Sequence, residues 1–515
     1  MPYGEARRER YHLDFVRLPK LAYNLVSAAG AAIALVVAGT ILVLLAVSLM
    51  TGPTNPYLGI VLYMVLPVVL ILGLVLIPLG MYIRWRRERR LGVGAVEAWP
   101  RLDLNLPAHR NATFIFLAGT AALLIITAVG SYHAYHYTES NAFCGETCHR
   151  VMHPEFIAYQ GSSHARVKCV DCHIGSGAGW YAKSKLSGAY QVYATLRNKY
   201  PRPIPTPIKA LRPAQETCEQ CHWPQRFFGA QQRQFNHYLY DERSTHWPIN
   251  MLIKTGGGDP KTGQTSGIHW HMNIGVKIEY LARDRQRQDI PWVRVTDRVT
   301  GRVTTYENVD KPLSPEEVRK AVPRMMDCMD CHNRPSHNFH SPDHQIDVAL
   351  LTGRIDRSVP HIKRLAVEAI ARDFDSEETA MKEIANSMTL FYREKHADLY
   401  ARRRPVIDAA IVATQQAYRR SAFPAMKTKW TGYPDDIGHF IYPGCMRCHD
   451  AKHRSGEGLT LTRECHACHA ILSQGAGERA QVATTQAGLE FVHPVDIADA
   501  WKQMGCFDCH RGVQP

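Results

Sequence analysis

From Leu21 to Ile83 the chain lacks Asp, Glu, Lys and Arg altogether. That absence excludes the surface helices of a water-soluble domain, which need a polar face at helical spacing. Two apolar runs fill the stretch, residues 21–50 and 57–83, separated by the turn-forming Thr51-Gly52-Pro53-Thr54-Asn55-Pro56. A third covers residues 112–132, and each is long enough for the ~20 residues that carry a helix across a bilayer. A cleavable leader fits poorly, because the first run is too long and another span follows it. Pro67 and Pro78 in the second run read as kinks whose freed carbonyls find other donors.

No phosphate-cradling glycine loop is present either. Gly256-Gly257-Gly258 runs into Asp-Pro and reads as a turn. Disorder is excluded, since 45% of residues are hydrophobic and 21% charged. At 515 residues the chain is long enough for several units. Fourteen Cys in that length are too sparse for a small disulfide scaffold.

Basic residues are unevenly placed. Arg7, Arg8, Arg10, Arg17 and Lys20 precede the first span, and Arg84-Trp85-Arg86-Arg87-Glu88-Arg89-Arg90 follows the second. Positive loops stay cytoplasmic, so the N-terminus and second loop are expected inside and everything after about Tyr132 outside. Tyr132, Tyr135 and Tyr137 suit the interface where the third helix emerges.

No cysteine is left unpaired. All 14 fall into seven pairs, each followed immediately by His. Six have the spacing C-x-x-C-H: Cys169/Cys172/His173, Cys218/Cys221/His222, Cys328/Cys331/His332, Cys445/Cys448/His449, Cys465/Cys468/His469 and Cys506/Cys509/His510. The seventh, Cys144-Gly145-Glu146-Thr147-Cys148-His149, has one residue more and must bulge. Two thiols three apart can form thioethers to the vinyl groups of one haem, while the next residue sets an imidazole beneath the iron. Zinc ribbons use C-x-x-C without needing the following His, and a thioredoxin-like motif would occur once. Seven covalent c-type haems are therefore expected, on the non-cytoplasmic side. Their propionates offset most of the formal +14 charge, so the basic balance is no argument for nucleic acid.

Seven irons call for distal ligands. His164, five residues before Cys169, and His337, five after His332, stand in short polar loops. His269 and His271 alternate as on a strand, so one is expected to face a haem and the other not. His246, His439, His453 and His493 are weaker candidates, and His466 reads as filler within its motif. Met152, three after His149, could serve the first haem and would raise its potential. The two spans within residues 21–83 contain no His, which excludes a bis-His haem inside them. Redox chemistry with a lipid-soluble substrate is then confined to the outer interface.

The expected fold is mainly α: three transmembrane helices, then a periplasmic multihaem cytochrome c domain with little regular structure, a small β-hairpin insertion and a helical insertion. In order, residues 1–20 form a cytoplasmic segment, 21–137 the anchor, 138–250 a domain with haems 1–3, and 251–325 a β-containing insertion. Residues 326–345 carry haem 4, 346–430 a helical insertion, and 431–515 haems 5–7. Val293-Arg294-Val295 and Val299-Thr300-Gly301-Arg302-Val303-Thr304 read as the hairpin. Residues 346–371 and 376–400 have helical periodicity, with Asp375 and Glu378 at capping-box spacing.

A membrane helix leading into Phe143-Cys144…Cys148-His149, a Met, Ser163-His164, Cys169-Val170-Asp171-Cys172-His173 and Lys183-Ser184-Lys185 resembles the NapC/NirT/NrfH quinol dehydrogenases over about residues 112–225. Cys328–His337 looks like that family's fourth haem with its distal His. The seven motifs, extra helices and C-terminal haems look more like the larger inner-membrane cytochromes of the ImcH type. The resemblance implies menaquinol as substrate, periplasmic multihaem c-type cytochromes as partners, and a bacterial inner-membrane location. It also implies that Met152 and the first haem lie beside the quinol pocket, with Lys183 or Lys185 nearby. The chain departs from the family in its three helices, its three residues between Cys144 and Cys148, its Met at three after the motif His, and Gln191 where an acid is usual.

The leading expectation is menaquinol oxidation at the outer face, with Lys183 or Lys185 hydrogen-bonding the quinol oxygens and electrons relayed towards His510. Two alternatives stay open: a terminal reductase of nitrite or a similar small oxidant, and an electron-transfer or scaffold subunit of a larger respiratory complex. None of the seven motifs ends in Lys, the mark of one nitrite-reducing haem. The chain could act as a homo-oligomer or within a complex.

Overall fold

A computed structural model describes residues 20–51, 61–92, 103–147, 149–175, 177–208, 212–223, 229–257 and 267–513. Arg7, Arg8, Arg10, Arg17, the turn after Thr51, Gly258, Cys148 and the side chain of His149 lie outside the described residues. The chain divides into two compact units, Met1–Thr147 and Cys148–Pro515.

The first unit contains three helices long and apolar enough to cross a membrane: α1 (Leu25–Thr51), α2 (Leu66–Leu91) and α3 (Pro107–Thr138). Pro67 stands in the first turn of α2, where its missing N–H would be unpaired anyway, so only Pro78 interrupts the helix interior. Helices α1 and α2 approach at backbone distance. A Cβ on Gly30 would lie 2.6 Å from the Gly73 carbonyl oxygen, and one on Gly73 would lie 2.9 Å from the Ala34 nitrogen. Ser27 Oγ donates to the Ile77 carbonyl at 2.8 Å across the same seam. Small residues with one interhelical hydrogen bond are how helices hold together where lipid supplies no hydrophobic drive. After α3, Phe143–Thr147 forms a π-helical turn, the conformation that absorbs one extra residue.

The second unit has its aliphatic core in four helices, α6 (Pro342–Leu351), α7 (Ile362–Ala371), α8 (Glu377–Lys395) and α9 (Ala397–Ser421). Ile346, Ile362, Ile384 and Ile407 are fully buried there. The helix expected over residues 346–371 is two, because Gly353 and His361 take positive φ between them. The cap of α8 is Ser376, whose side chain accepts from the Thr379 N–H, and not Asp375. The run expected to reach Tyr400 breaks at His396, where α9 begins. Two further helices, α4 (His149–Gln160) and α5 (Ala178–Leu196), precede this core in the chain.

Two antiparallel sheets exceed the hairpin expected. One runs β1 (Gln231–Tyr238), β2 (His246–Ile253), β7 (His469–Gln474), then Gln481–Val482. The other runs Arg324–Met325, β3 (Val276–Leu281), β4 (Trp292–Asp297), β5 (Val303–Asn308), β6 (His453–Ser455). The β4–β5 pair is the hairpin around Gly301. In both sheets a strand from beyond residue 450 joins strands from before residue 310, so the C-terminal motifs are stitched to the middle of the chain.

Gly73→Val is expected to separate α1 from α2 and lower the melting temperature of the detergent-solubilised protein. Gly119→Val on α3, with nothing within 4 Å of its Cβ position, should leave it unchanged. In the second unit Ile384→Ala should cost about 2–5 kcal/mol, read by denaturant unfolding.

Candidate haem centres

Most C-x-x-C-H motifs fold as single turns of helix, among them Cys169–His173, Cys465–Cys468 and Cys506–Cys509. One turn brings residues three apart onto a common face. It also fixes the imidazole: the motif His N–H donates to the first Cys carbonyl in His222 (2.8 Å), His332 (2.8 Å), His449 (3.0 Å) and His510 (2.8 Å).

Opposite each of these six motif histidines stands a second imidazole. Ring centroids are 6.1 Å apart for His173 and His337, 6.0 Å for His222 and His164, and 6.2 Å for His332 and His269. They are 5.8 Å apart for His449 and His271, 6.2 Å for His469 and His439, and 6.0 Å for His510 and His493. A metal–nitrogen bond of about 2.0 Å on each side, plus the two ring radii, spans about 6 Å. Each gap is the width of one iron, and the donor set fits a haem held between two imidazoles.

Hydrogen bonding decides which nitrogen faces inward. Nδ1 is turned to a backbone carbonyl in His269 (Thr255, 2.6 Å), His271 (Ile268, 2.7 Å), His337 (Glu155, 3.0 Å) and His164 (Pro335, 3.2 Å). His493 Nδ1 lies 2.7 Å from the Val495 carbonyl and 3.2 Å from the Val495 N–H, so both roles meet there, while His449 Nδ1 joins the first four at the Thr462 carbonyl (2.9 Å). A carbonyl only accepts, so Nδ1 carries the proton and Nε2 keeps its lone pair for a metal. Burial pushes His337 and His469 down to about 4 and also lowers His173, His271, His332, His439 and His510, a shift towards the neutral imidazole.

His269 and His271 do not lie on a strand. They belong to a short 3-10 helix, Ile268–Met272, where two residues' separation turns them to different sides. Each therefore meets its own motif His, and a single turn serves two centres. His246 and His453 are brought to no motif imidazole among the described residues. His246 Nε2 bonds Asn236 Oδ1 at 2.9 Å, and its ring stacks on Tyr238. His453 is fully buried with both nitrogens taken, Nδ1 by Asp450 at 2.8 Å and Nε2 by the Ile290 carbonyl at 2.7 Å. It pins β6 in place.

The motifs also neighbour one another in chain order. The side chains of Cys218 and Cys328 are neighbours. Cys172 is within electrostatic reach of Cys221, Cys331 of Cys445, Cys445 of Cys468, and Cys465 of Cys506. Buried ion pairs bind adjoining motifs. Asp330, inside Cys328–Cys331, accepts from Tyr280 and Arg287 at 2.6 Å and from Arg324 at 2.8 Å. Arg447, inside Cys445–Cys448, donates to the Asp330 carbonyl at 2.7 Å and pairs with Asp436 at 3.1 Å. Sequence reasoning missed these residues and Glu155, which pairs with Arg334 at 3.4 Å beneath His337. The backbone acceptors leave no trace in a sequence, but an Asp and an Arg inside C-x-x-C were visible.

Of the first centre, Cys144 lies in the π turn of the first unit. Met152 is on α4 and packs against the aromatic cluster of Phe339, Phe423 and Trp430. On α5, Lys183 Nζ sits 4.7 Å over the Trp180 ring and Lys185 Nζ 4.8 Å over Tyr181. Leu186, Tyr190 and Tyr193 of that helix are exposed.

The model of the NapC/NirT cytochrome c family, N-terminal region, matches residues 107–203. The cytochrome c-type protein ImcH of Geobacter sulfurreducens is 44% identical over 492 residues, 95% of this chain and 96% of that protein. No solved structure matches the chain.

His271→Ala is expected to leave every thioether in place but to convert one low-spin centre to high spin, read by electron paramagnetic resonance. His453→Ala should leave the spin states unchanged and lower only the melting temperature.

Proposed function

This chain belongs to the ImcH-like membrane-anchored c-type cytochromes with a NapC/NirT N-terminal region, and from that premise we propose that it oxidises menaquinol at the periplasmic face of the inner membrane. The electrons pass along seven haems to periplasmic multihaem cytochromes. The observation that carries this reading is the row of six imidazole pairs, each one iron wide, whose motifs adjoin in chain order. Haem, when bound, supplies a one-electron carrier at each motif. The residues that would hold it are His173 with His337, His222 with His164, His332 with His269, His449 with His271, His469 with His439, and His510 with His493. At the first motif Cys144 and Cys148 would hold it, with His149, or Met152 in place of that imidazole, as the iron ligand.

Quinol gives up two electrons and two protons. Lys183 and Lys185 supply hydrogen-bond donors that stabilise negative charge developing on the quinol oxygens. Exposed Leu186, Tyr190 and Tyr193 give the same helix an apolar side for a lipid-soluble substrate. Arg86, Arg87, Arg89 and Arg90 at the end of α2 favour the orientation with this helix on the periplasmic side. Paired imidazoles leave no open position on six centres, which weighs against a nitrite-type reductase at any of them.

The test is anaerobic mixing of the detergent-purified protein with a menaquinol analogue, with haemochrome stoichiometry on the same sample. Seven haems per chain, most reduced in an inhibitor-sensitive reaction, is the expected result. Reduction by dithionite alone would overturn quinol oxidation. Met152→Leu should slow reduction by quinol at least tenfold and reduction by a small dye much less; equal slowing would remove Met152 from the site.

A further inference from the structure

Helices α6 and α7 bury an ion cluster in an otherwise aliphatic core. The side chain of Lys363 has no exposure, and its Nζ lies 2.6 Å from Asp347 Oδ1 and 2.7 Å from Asp343 Oδ1. It also donates to the Asp343 carbonyl at 2.8 Å. One ammonium serves two carboxylates, so fully ionised the cluster holds a negative charge that nothing within it neutralises. Tyr240 donates its hydroxyl to Asp343 at 2.6 Å, and the Tyr238 N–H donates to Asp347 at 3.2 Å. Burial pushes the Asp347 carboxyl up to about 7 although Lys363 opposes it. Burial would raise Asp343 too, but the charge and hydrogen bond of Lys363 and the Tyr240 hydroxyl hold it low.

This cluster adjoins the last motif. His237 Nδ1 on β1 is 3.8 Å from Asp347 Oδ2, the His237 ring packs on Phe440 at 5.2 Å, and Phe440 stacks on His510 at 4.6 Å. The Asp343 N–H donates to the carbonyl of Gly512, two residues past His510. Groups facing Asp347 are Lys363 from α7, Asp343 from α6, and His237 and the Tyr238 backbone from β1. Beyond them stand His344 beside Asp343, with His340 stacked on it at 4.2 Å, Glu368 near Tyr240, and Arg357 near Tyr238 and His246.

We propose that the Asp343–Lys363–Asp347 cluster is a proton-binding site coupled to electron transfer at the seventh haem. The Asp347 carboxylate takes up one proton from water as the iron between His510 and His493 goes from ferric to ferrous with one electron from the neighbouring centre. This rests on the reading that those two histidines hold a haem. An added electron cancels a positive charge near the cluster, and in a buried setting that loss is felt over several ångströms. The ionised carboxylate is then less favoured and its proton affinity rises. By linkage, a bound proton favours the electron in turn. The potential of this centre therefore falls as pH rises through the range in which the site titrates, by up to about 59 mV per tenfold change in proton concentration for one electron. Oxidation by a partner returns the proton to water.

The test is electrochemical reduction of the full-length protein in weakly buffered detergent solution near pH 7. Proton uptake would be recorded with a pH dye, beside the infrared difference spectrum between reduced and oxidised forms. Wild type is expected to take up more protons on reduction than Asp347→Asn, in which Lys363 keeps Asp343 as partner, by up to about half a proton per chain, because a carboxyl that titrates near 7 is already half protonated at that pH. A carboxylic C=O band that shifts in D2O should appear on reduction and be missing in the variant. Equal proton uptake in the two proteins would overturn the proposal. Should Asp347→Asn not fold, the wild-type spectrum decides alone, and reduction without a carboxylic band would overturn it. His493→Ala separates this from failure of the haem reading: a new high-spin signal establishes the ligand whatever Asp347 does, and unchanged spin states remove the ligand and the proposal together.

Discussion

The second unit depends on a spacing: two imidazoles held with ring centroids about 6 Å apart. Neither ring can hold that position by itself, since a His side chain rotates freely about two bonds. In six of the twelve rings Nδ1 lies against a backbone carbonyl, which sets the ring plane. Those carbonyls belong to Thr255, Ile268, Glu155, Pro335, Thr462 and Val495, which lie in loops, in a short helix and in α4. Backbone position in these segments is therefore what places the ligands. The two sheets fix it by tying residues 231–308 to residues 453–482.

The facing imidazoles come from far along the chain. His337 follows the fourth motif yet faces the imidazole of the second, and His164 precedes the second yet faces the third. Such crossing makes adjacent motifs mutually dependent, because moving one loop disturbs two centres. The turn Ile268–Met272 is the extreme case, with His269 and His271 serving neighbouring motifs from one helical turn.

The Cys–Cys–His motifs stand out in the sequence because thioether chemistry would need two Cys and a His at fixed local spacing, and the three apolar spans because a bilayer imposes length. Distal partners are different. His439 and His493 looked no better than His246 or His453 until tertiary distance separated them. His269 and His271 were misread through the wrong period, since an alternating pattern over three residues cannot tell a strand from a 3-10 turn. The break between α6 and α7 went unseen because periodicity survives a loop that re-enters helix in phase, whereas Gly353 at positive φ was a usable signal. The first motif has one residue more than the others, and Phe143–Thr147 around Cys144 forms a π turn.

Where cofactors fill the interior, aliphatic side chains cannot, and the chain uses two different kinds of cohesion. In α6 to α9 the chain closes on isoleucines in the ordinary way. Between motifs, buried ion pairs take over: Asp330 with Arg287 and Arg324, Asp436 with Arg447, Glu155 with Arg334. Such pairs gain little net stability, because desolvation offsets most of the attraction, but losing one partner costs about 3–5 kcal/mol. They act less as glue than as a penalty on displacement. That suits a relay, in which the positions of successive centres matter more than the free energy of the fold. The buried Lys363 is the exception, since it lies within the isoleucine core and serves two carboxylates where one would balance it. A core built for stability alone would fill that space with a hydrocarbon side chain, so the charge that remains there points to a property other than stability.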